Sequence, residues 1–126
     1  MSTWYELTNS SDGQFRFVLK SDEGGTLLTS ELYKTKSAAE NGIESVQGNC
    51  QNDARYEKKS ASNGKFYFNL KAANHQVIGT SGMHASGESC ASEIEKVKAG
   101  GATQTIKDLT MPLKSGAGAP ASEKRL

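Results

Sequence analysis

Displaced by 51 positions, the first half of this 126-residue chain lies on its second half without a gap. Tyr5, Glu6, Gly13, Phe15, Phe17, Leu19, Lys20, Thr29, Ser30, Ile43, Glu44 and Val46 fall on Tyr56, Glu57, Gly64, Phe66, Phe68, Leu70, Lys71, Thr80, Ser81, Ile94, Glu95 and Val97. The identities sit on strand-like and turn-like positions, so one supersecondary motif has been built twice and packed against itself. Units of about fifty residues bury too little surface to stand alone, which predicts that the two repeats share one core.

Within each repeat the period changes in the same order. A short mixed segment, Trp4 to Asn9 and Arg55 to Ser60, leads to the turn dipeptides Asp12-Gly13 and Asn63-Gly64. Phe15, Phe17, Leu19 and Phe66, Phe68, Leu70 then alternate with polar residues, the signature of a strand with one buried face. A second turn leads to Thr26–Ser30 and Val77–Ser81, which read as third strands. Ala39, Ile43, Val46 and Cys90, Ile94, Val97 are spaced by four and three, one face of a helix, with Thr35 and Ser86 as N-caps. Thr103 to Leu109 lies where a third repeat would begin and is expected to add a closing strand beside the first.

These elements predict a single compact α+β domain over residues 1–110, with repeat one at 3–53 and repeat two at 54–110. From Met111 the composition turns to Gly, Ala, Ser, Pro and charge, so 111–126 is expected to be a disordered tail.

The stretch Asn63-Gly64-Lys65-Phe66-Tyr67-Phe68-Asn69-Leu70-Lys71, continued by Ala72 to Ser81, resembles the signature of the YegP-like family of small bacterial proteins of uncharacterised function. Thr29-Ser30-Glu31-Leu32-Tyr33 followed by Asn41-Gly42-Ile43-Glu44-Ser45-Val46 resembles it too. The resemblance implies two tandem β-β-β-α(-β) motifs in a single, mainly antiparallel sheet, with both helices on one face and the terminal strand exchanged between motifs. It implies no activity, cofactor or catalytic residue. Repeat two departs from the motif: His84, Ser92 and Glu93 stand where repeat one has Tyr33, Asn41 and Gly42.

Fifteen basic and fourteen acidic residues leave a net charge of +1, so no global field draws the chain onto nucleic acid or an anionic membrane. No stretch approaches a membrane span, the N-terminus lacks the pattern of a signal peptide, and the chain reads as cytoplasmic. Cys50 and Cys90 occupy non-equivalent positions and are expected to be reduced thiols. His75 and His84 form no metal-ligand spacing with them, and neither a Gly-x-Ser-x-Gly elbow nor a Walker spacing occurs. The reading is therefore of no catalytic, cofactor or metal site, and of a non-enzymatic binding or accessory protein. An enzyme with a site assembled from scattered His, Ser and carboxylate groups is the distant alternative.

One surface has a positive case. If Phe15, Phe17, Phe66 and Phe68 lie beneath the helices, alternation sends Arg16, Lys20, Tyr67, Asn69 and Lys71 to the open face of the sheet, with Trp4 and Arg55 candidates to join them. Cations and rings on an open sheet suit single-stranded nucleic acid, although Glu6 and Glu57 fall on the same face. Self-association through sheet edges is the other partner expected. Gly79, in the third strand of repeat two, is expected to mark a bulge or a close backbone approach.

Overall fold

The computed structural model describes residues 2–10, 12–23 and 25–110. The first repeat forms β1 (Thr3–Asn9), β2 (Phe15–Ser21), β3 (Gly25–Ser30) and α1 (Lys36–Asn49). After a single 3-10 turn at Asp53–Arg55, the second forms β4 (Tyr56–Ser60), β5 (Phe66–Lys71), β6 (Val77–Thr80) and α2 (Gly87–Gly100), and β7 (Ile106–Asp108) follows. All seven strands make one sheet in the order β4-β5-β6-β3-β2-β1-β7. Every pairing is antiparallel except that of β7 with β1, which is parallel. This is the α+β architecture the repeat predicts. The tail expectation for 111–126 lies outside the described residues.

The repeats meet about an approximate two-fold axis between β3 and β6, where Thr29 pairs with Thr80, its own counterpart. Ser30 pairs with Gly79 beside it. Parity decides which face is covered: Tyr5, Leu7, Phe17, Leu19, Phe68 and Leu70 are all buried, and the helices close over them with Ala39, Ile43, Val46, Cys90, Ile94 and Val97. The helices start where the sequence places them. Thr35 and Ser86 are extended, and each hydroxyl accepts from an amide of the first turn, Ala38 and Ser89 at 3.0 Å.

The buried polar groups are repeated as faithfully as the apolar ones. Ser30 accepts from the Phe17 amide and donates to the Glu31 carbonyl, and Ser81 does the same with Phe68 and Gly82. Tyr5 donates from its hydroxyl to the Gly101 carbonyl at the end of α2, and Tyr56 to the Cys50 carbonyl at the end of α1, both at 2.6 Å. Burial, above all, and neighbouring Cys50 hold both phenols well above the ordinary tyrosine value. Both thiols are free and buried, and burial raises both above the usual cysteine range.

One local expectation is corrected, the burial of Phe15 and Phe66, and two are made specific. The register shifts in both repeats, between Leu19 and Lys20 against β3 and between Leu70 and Lys71 against β6, so a bulge does adjoin Gly79, as expected, and the motif carries it in repeat one too, beside Leu28. Gly79 serves close approach: a Cβ there would stand 2.9 Å from Leu28 Cγ and 3.0 Å from the Thr29 carbonyl oxygen. Phe15 and Phe66 are only half-buried: they open their strands at the margin of the core, packed against it, and bridge to Tyr33 and His84. In the first hairpin turns only Gly13 and Gly64 take positive φ, 86° and 82°; Asp12 and Asn63 do not.

Candidate binding face of the sheet

Alternation delivers all five expected residues, Arg16, Lys20, Tyr67, Asn69 and Lys71, to the face of the sheet away from the helices, since Phe17, Leu19, Phe68 and Leu70 between them are buried. A straight cross-strand ladder runs through the middle of that face: Lys107, Glu6, Val18, Thr29, Thr80, Asn69 and Glu57, one residue from each strand. It is nearly palindromic about the two-fold. Thr80 donates to the Asn69 side-chain oxygen at 2.7 Å, which fixes the amide in its centre.

The two-fold also sorts the flanks. β2 and β5 run in opposite directions, so Lys20 at the far end of β2 shares a flank with Tyr67 near the start of β5. Trp4 lies opposite Lys20 and Lys59 opposite Tyr67. One flank thus carries Trp4, Lys20, Tyr67 and Lys59 in a row across the sheet, roughly 24 Å from β1 to β4 at the ordinary strand spacing. Arg16 and Lys71 mark the opposite flank.

Both carboxylates on the face are engaged. Glu6 accepts from the Trp4 indole at 2.9 Å, and Lys107 holds its ammonium 4.7 Å from the Trp4 ring centroid. Glu57 pairs with Lys71 at 3.1 Å and with Lys59 at 3.8 Å. The Lys71 bond, first, and the two lysine charges hold the Glu57 carboxyl below its ordinary value. Among the described strand residues this face carries Arg16, Lys20, Lys59, Lys71 and Lys107 against Glu6 and Glu57. The helices carry the reverse balance, five carboxylates against Lys36, Lys96 and Lys98. A chain of nearly zero net charge is therefore polarised, basic on its sheet side.

Arg55 does not join the face. It lies in the 3-10 turn and donates from Nε to the Asn49 side chain at 2.9 Å. Trp4 does join the face, as expected, and Lys59 and Lys107 are the members that the expected set omitted. Lys59 follows Glu57 by two and was legible from the same alternation; Lys107 needed the parallel register of β7.

The nucleophile and metal candidates are not brought together. His84 bridges to Phe66 at the start of β5, whereas His75 lies in the Ala72–Gln76 turn beyond its end, so the length of a six-residue strand, roughly 20 Å, separates them. His75 takes a φ of 71° there, a turn role that explains an exposed ring. His84 Nδ1 is 3.1 Å from Ser89 Oγ, but its Nε2 is buried and meets no hydrogen-bond partner among the described residues, so no third group orients the ring as a catalytic base requires. Among the described residues no three His, Cys, Asp or Glu side chains gather as metal ligands, and no helix is long and apolar enough to cross a membrane.

Comparison with known proteins places this geometry in a family. The model of the domain of unknown function DUF1508 matches twice, at residues 10–57 and 61–108, with the same offset of 51 as the internal repeat. The chain is 61% identical over 110 residues to the UPF0339 protein YegP of Escherichia coli K12, covering 87% of this chain and all of that one. It is 62% identical to a UPF0339 protein of Acinetobacter baylyi over 87% of this chain and 99% of the relative. The solution NMR structure of E. coli YegP, a protein of unknown function, superposes with a TM-score of 0.82 at 61% identity, covering 87% of this chain and 95% of that one. That of a UPF0339 protein from Shewanella oneidensis also gives 0.82, at 59% identity, with 87% and 93% covered. With both repeats matched and the fold shared, the chain belongs to the YegP family of uncharacterised UPF0339 proteins, in its tandem DUF1508 form.

Proposed function

We propose that this chain is a non-enzymatic cytoplasmic binding protein whose open sheet face receives single-stranded nucleic acid. The observation that carries the reading is the flank row of Trp4, Lys20, Tyr67 and Lys59, two rings interleaved with two cations, with Glu6 on the Trp4 indole and Glu57 beside Lys59 as its neighbouring carboxylates. Rings offer bases a sequence-tolerant stacking surface, while ammonium groups meet phosphates. Lys71, Arg16 and Lys107 add cations around the row, and the acidic helices face away from it. A solvated sheet face commonly carries lysines, but it gains nothing from an excess of five cations over two carboxylates in a chain whose charges nearly cancel.

The test is an amide NMR titration with a mixed-sequence single-stranded oligonucleotide at low and at physiological salt. Saturable shifts on β2 and β5 at both salts are expected, with affinity falling as salt rises. Tyr67→Ala should weaken binding about tenfold or more, the worth of one stacked base. An unchanged spectrum, or shifts that vanish at physiological salt and ignore Tyr67→Ala, would reject the reading.

A further inference from the structure

β1 and β4 are counterparts, yet only β1 has a strand on its outer side. In repeat one, β7 lies parallel on β1 with Tyr5, Glu6 and Leu7 opposite Ile106, Lys107 and Asp108. The Tyr5 amide donates to the Thr105 carbonyl, and the Leu109 amide to the Leu7 carbonyl. By the repeat, the seat of β7 corresponds to the outer side of Tyr56, Glu57 and Lys58; among the described residues no strand pairs there, since β4 ends the sheet, although the Tyr56 amide already donates to the Asp53 carbonyl of the 3-10 turn, which leaves the Lys58 end of the seat open. The reason is topological. The segment that follows α1 at the repeat offset of β7 is itself β4, so repeat one has no strand left to return.

The vacant seat keeps its shape. A cavity of about 270 Å3 between β4 and α2 is lined by Tyr56, Lys58, Ala91 and Ile94 with Asp53 and Glu95 at its Tyr56 end, and a second of about 650 Å3 by Lys58, Lys59, Phe66, Ser86, Glu88 and Cys90. They share Lys58 and follow the line that Ile106 and Asp108 occupy in repeat one. Ile106 there lies beside Ile43, the counterpart of Ile94. Asp108 pairs with Lys36, in the first turn of α1, and burial working to raise its pKa is outweighed by that bond and by Thr110.

The charge at this point has moved without being lost. The counterpart of Lys36 is Gly87, which offers no cation, while the counterpart of buried Leu7 is exposed Lys58. Repeat one supplies its cation from the helix and repeat two from the strand, into the same groove.

We propose that the β4 edge is a peptide-binding site: an extended segment of another protein adds parallel to β4, with an apolar residue against Ile94 and, two residues on, a carboxylate against Lys58. Strand addition gives such sites affinity through the main chain and specificity through alternate side chains. A second copy donating its own β7 gains no pairing, since each β1 would lose what β4 receives. Lysine on an edge strand also discourages self-pairing, so β4 against β4 would set Lys58 and Lys59 against their copies.

The probe is a synthetic peptide of residues 103–110, Thr-Gln-Thr-Ile-Lys-Asp-Leu-Thr, which the fold already seats on β1. Titrated into the full-length protein, it should give saturable amide shifts on Tyr56–Ser60 and the first turn of α2, with new exchange protection on β4. Lys58→Glu should weaken binding at least tenfold, and a peptide with lysine in place of its aspartate should restore it. Shifts confined to β1 and β7, binding indifferent to Lys58, or no saturable shift on β4 up to millimolar peptide would overturn the proposal. So would a concentration-dependent dimer that protects β4, which gives the seat to a second copy. A truncation at Thr110 that alone changes the β4 resonances would give it to the chain's own C-terminal residues.

Discussion

Leu28 lies over Gly79, the residue that the repeat makes its own counterpart. A Cβ on Gly79 would come within 2.9 Å of Leu28 Cγ. The same relation recurs at the helix ends, where a Cβ on Gly101 would meet Cys50, again its counterpart, at 2.9 Å. Side chains that approach the two-fold meet their own images, and two copies of a large residue do not fit where one does. Gly79→Ala should therefore destabilise the fold by roughly 1–3 kcal/mol despite alanine's advantage in a strand. Leu28→Ala alone should cost about 2–5 kcal/mol. In chemical denaturation the double variant should be less damaged than the sum of the two, by about 0.5–3 kcal/mol. Strict additivity would mean that Leu28 does not press on residue 79.

The departure of repeat two from the family motif has a packing cause. Tyr33 stacks on Phe17, with ring centroids 6.3 Å apart and planes 10° apart, and its hydroxyl reaches α1 at Gly42. A Cβ on Gly42 would stand 2.6 Å from that oxygen and 2.9 Å from Phe17 Cε2. His84 and Glu93 hold the equivalent places, a shorter ring beside a residue that needs no glycine. Gly42→Ala gains about 1 kcal/mol of helix propensity but overpacks against two rings, and a net loss of roughly 1–2 kcal/mol is expected. Tyr33→His in the same chain should return most of it. Glu93→Ala should stay within about 0.5 kcal/mol of the parent. Equal effects at 42 and 93 would remove this account.

The repeat made the strands, both caps and the helix faces legible, because each rests on a local period or a single side-chain bond. Thr35 and Ser86 needed only a hydroxyl before an amphipathic run. What sequence could not supply depends on the axis between repeats. Gly79 could be read as a bulge or a close approach, but what it approaches could not, because its image Leu28 was not yet known to lie beside it. Lys107 became part of the open face only once β7 was seen to run parallel to β1. Arg55 was drawn away by Asn49 through a 3-10 turn that alternation cannot foresee. For the candidate face the parity of β2 and β5 sufficed, whereas the row from Trp4 to Lys59 required the antiparallel relation of those strands.

Tyr5 and Tyr56 make alkaline stability a readout of how the repeats are joined. Both phenols are held above their ordinary value, chiefly by burial, so the folded state favours their neutral forms. Their contribution is intact below the unfolded value, about 10, and is lost as pH rises beyond it. Denaturation midpoints should fall above about pH 10, by up to roughly 1.4 kcal/mol per pH unit for a fully buried phenol such as Tyr5. Cys50, raised by burial, should begin the decline earlier, from about 8.5. Tyr5→Phe leaves the Gly101 carbonyl without its donor and should cost about 1–3 kcal/mol at neutral pH. Tyr5→Phe with Tyr56→Phe should also flatten the alkaline slope. A parent whose stability is level from about pH 9.5 to 11 would contradict the burial of these hydroxyls.

Glu57 distinguishes a nucleic-acid face from an ordinary solvated one. Its carboxylate holds Lys71 at 3.1 Å and Lys59 at 3.8 Å, so two of the cations on the face are partly neutralised by one anion. If phosphates are the natural counterion, they compete with Glu57 for those lysines. Glu57→Gln should then tighten oligonucleotide binding and steepen its dependence on salt by about one phosphate contact, a change of roughly 0.7 in the logarithmic slope for a single strand. Glu6→Gln should act in the same direction more weakly, because Glu6 is committed to the Trp4 indole. Lys71→Gln should do the opposite, lowering both affinity and slope. An ordinary solvated face predicts none of these orderings: with no ligand competing for the lysines, all three variants would leave the titration where the parent left it.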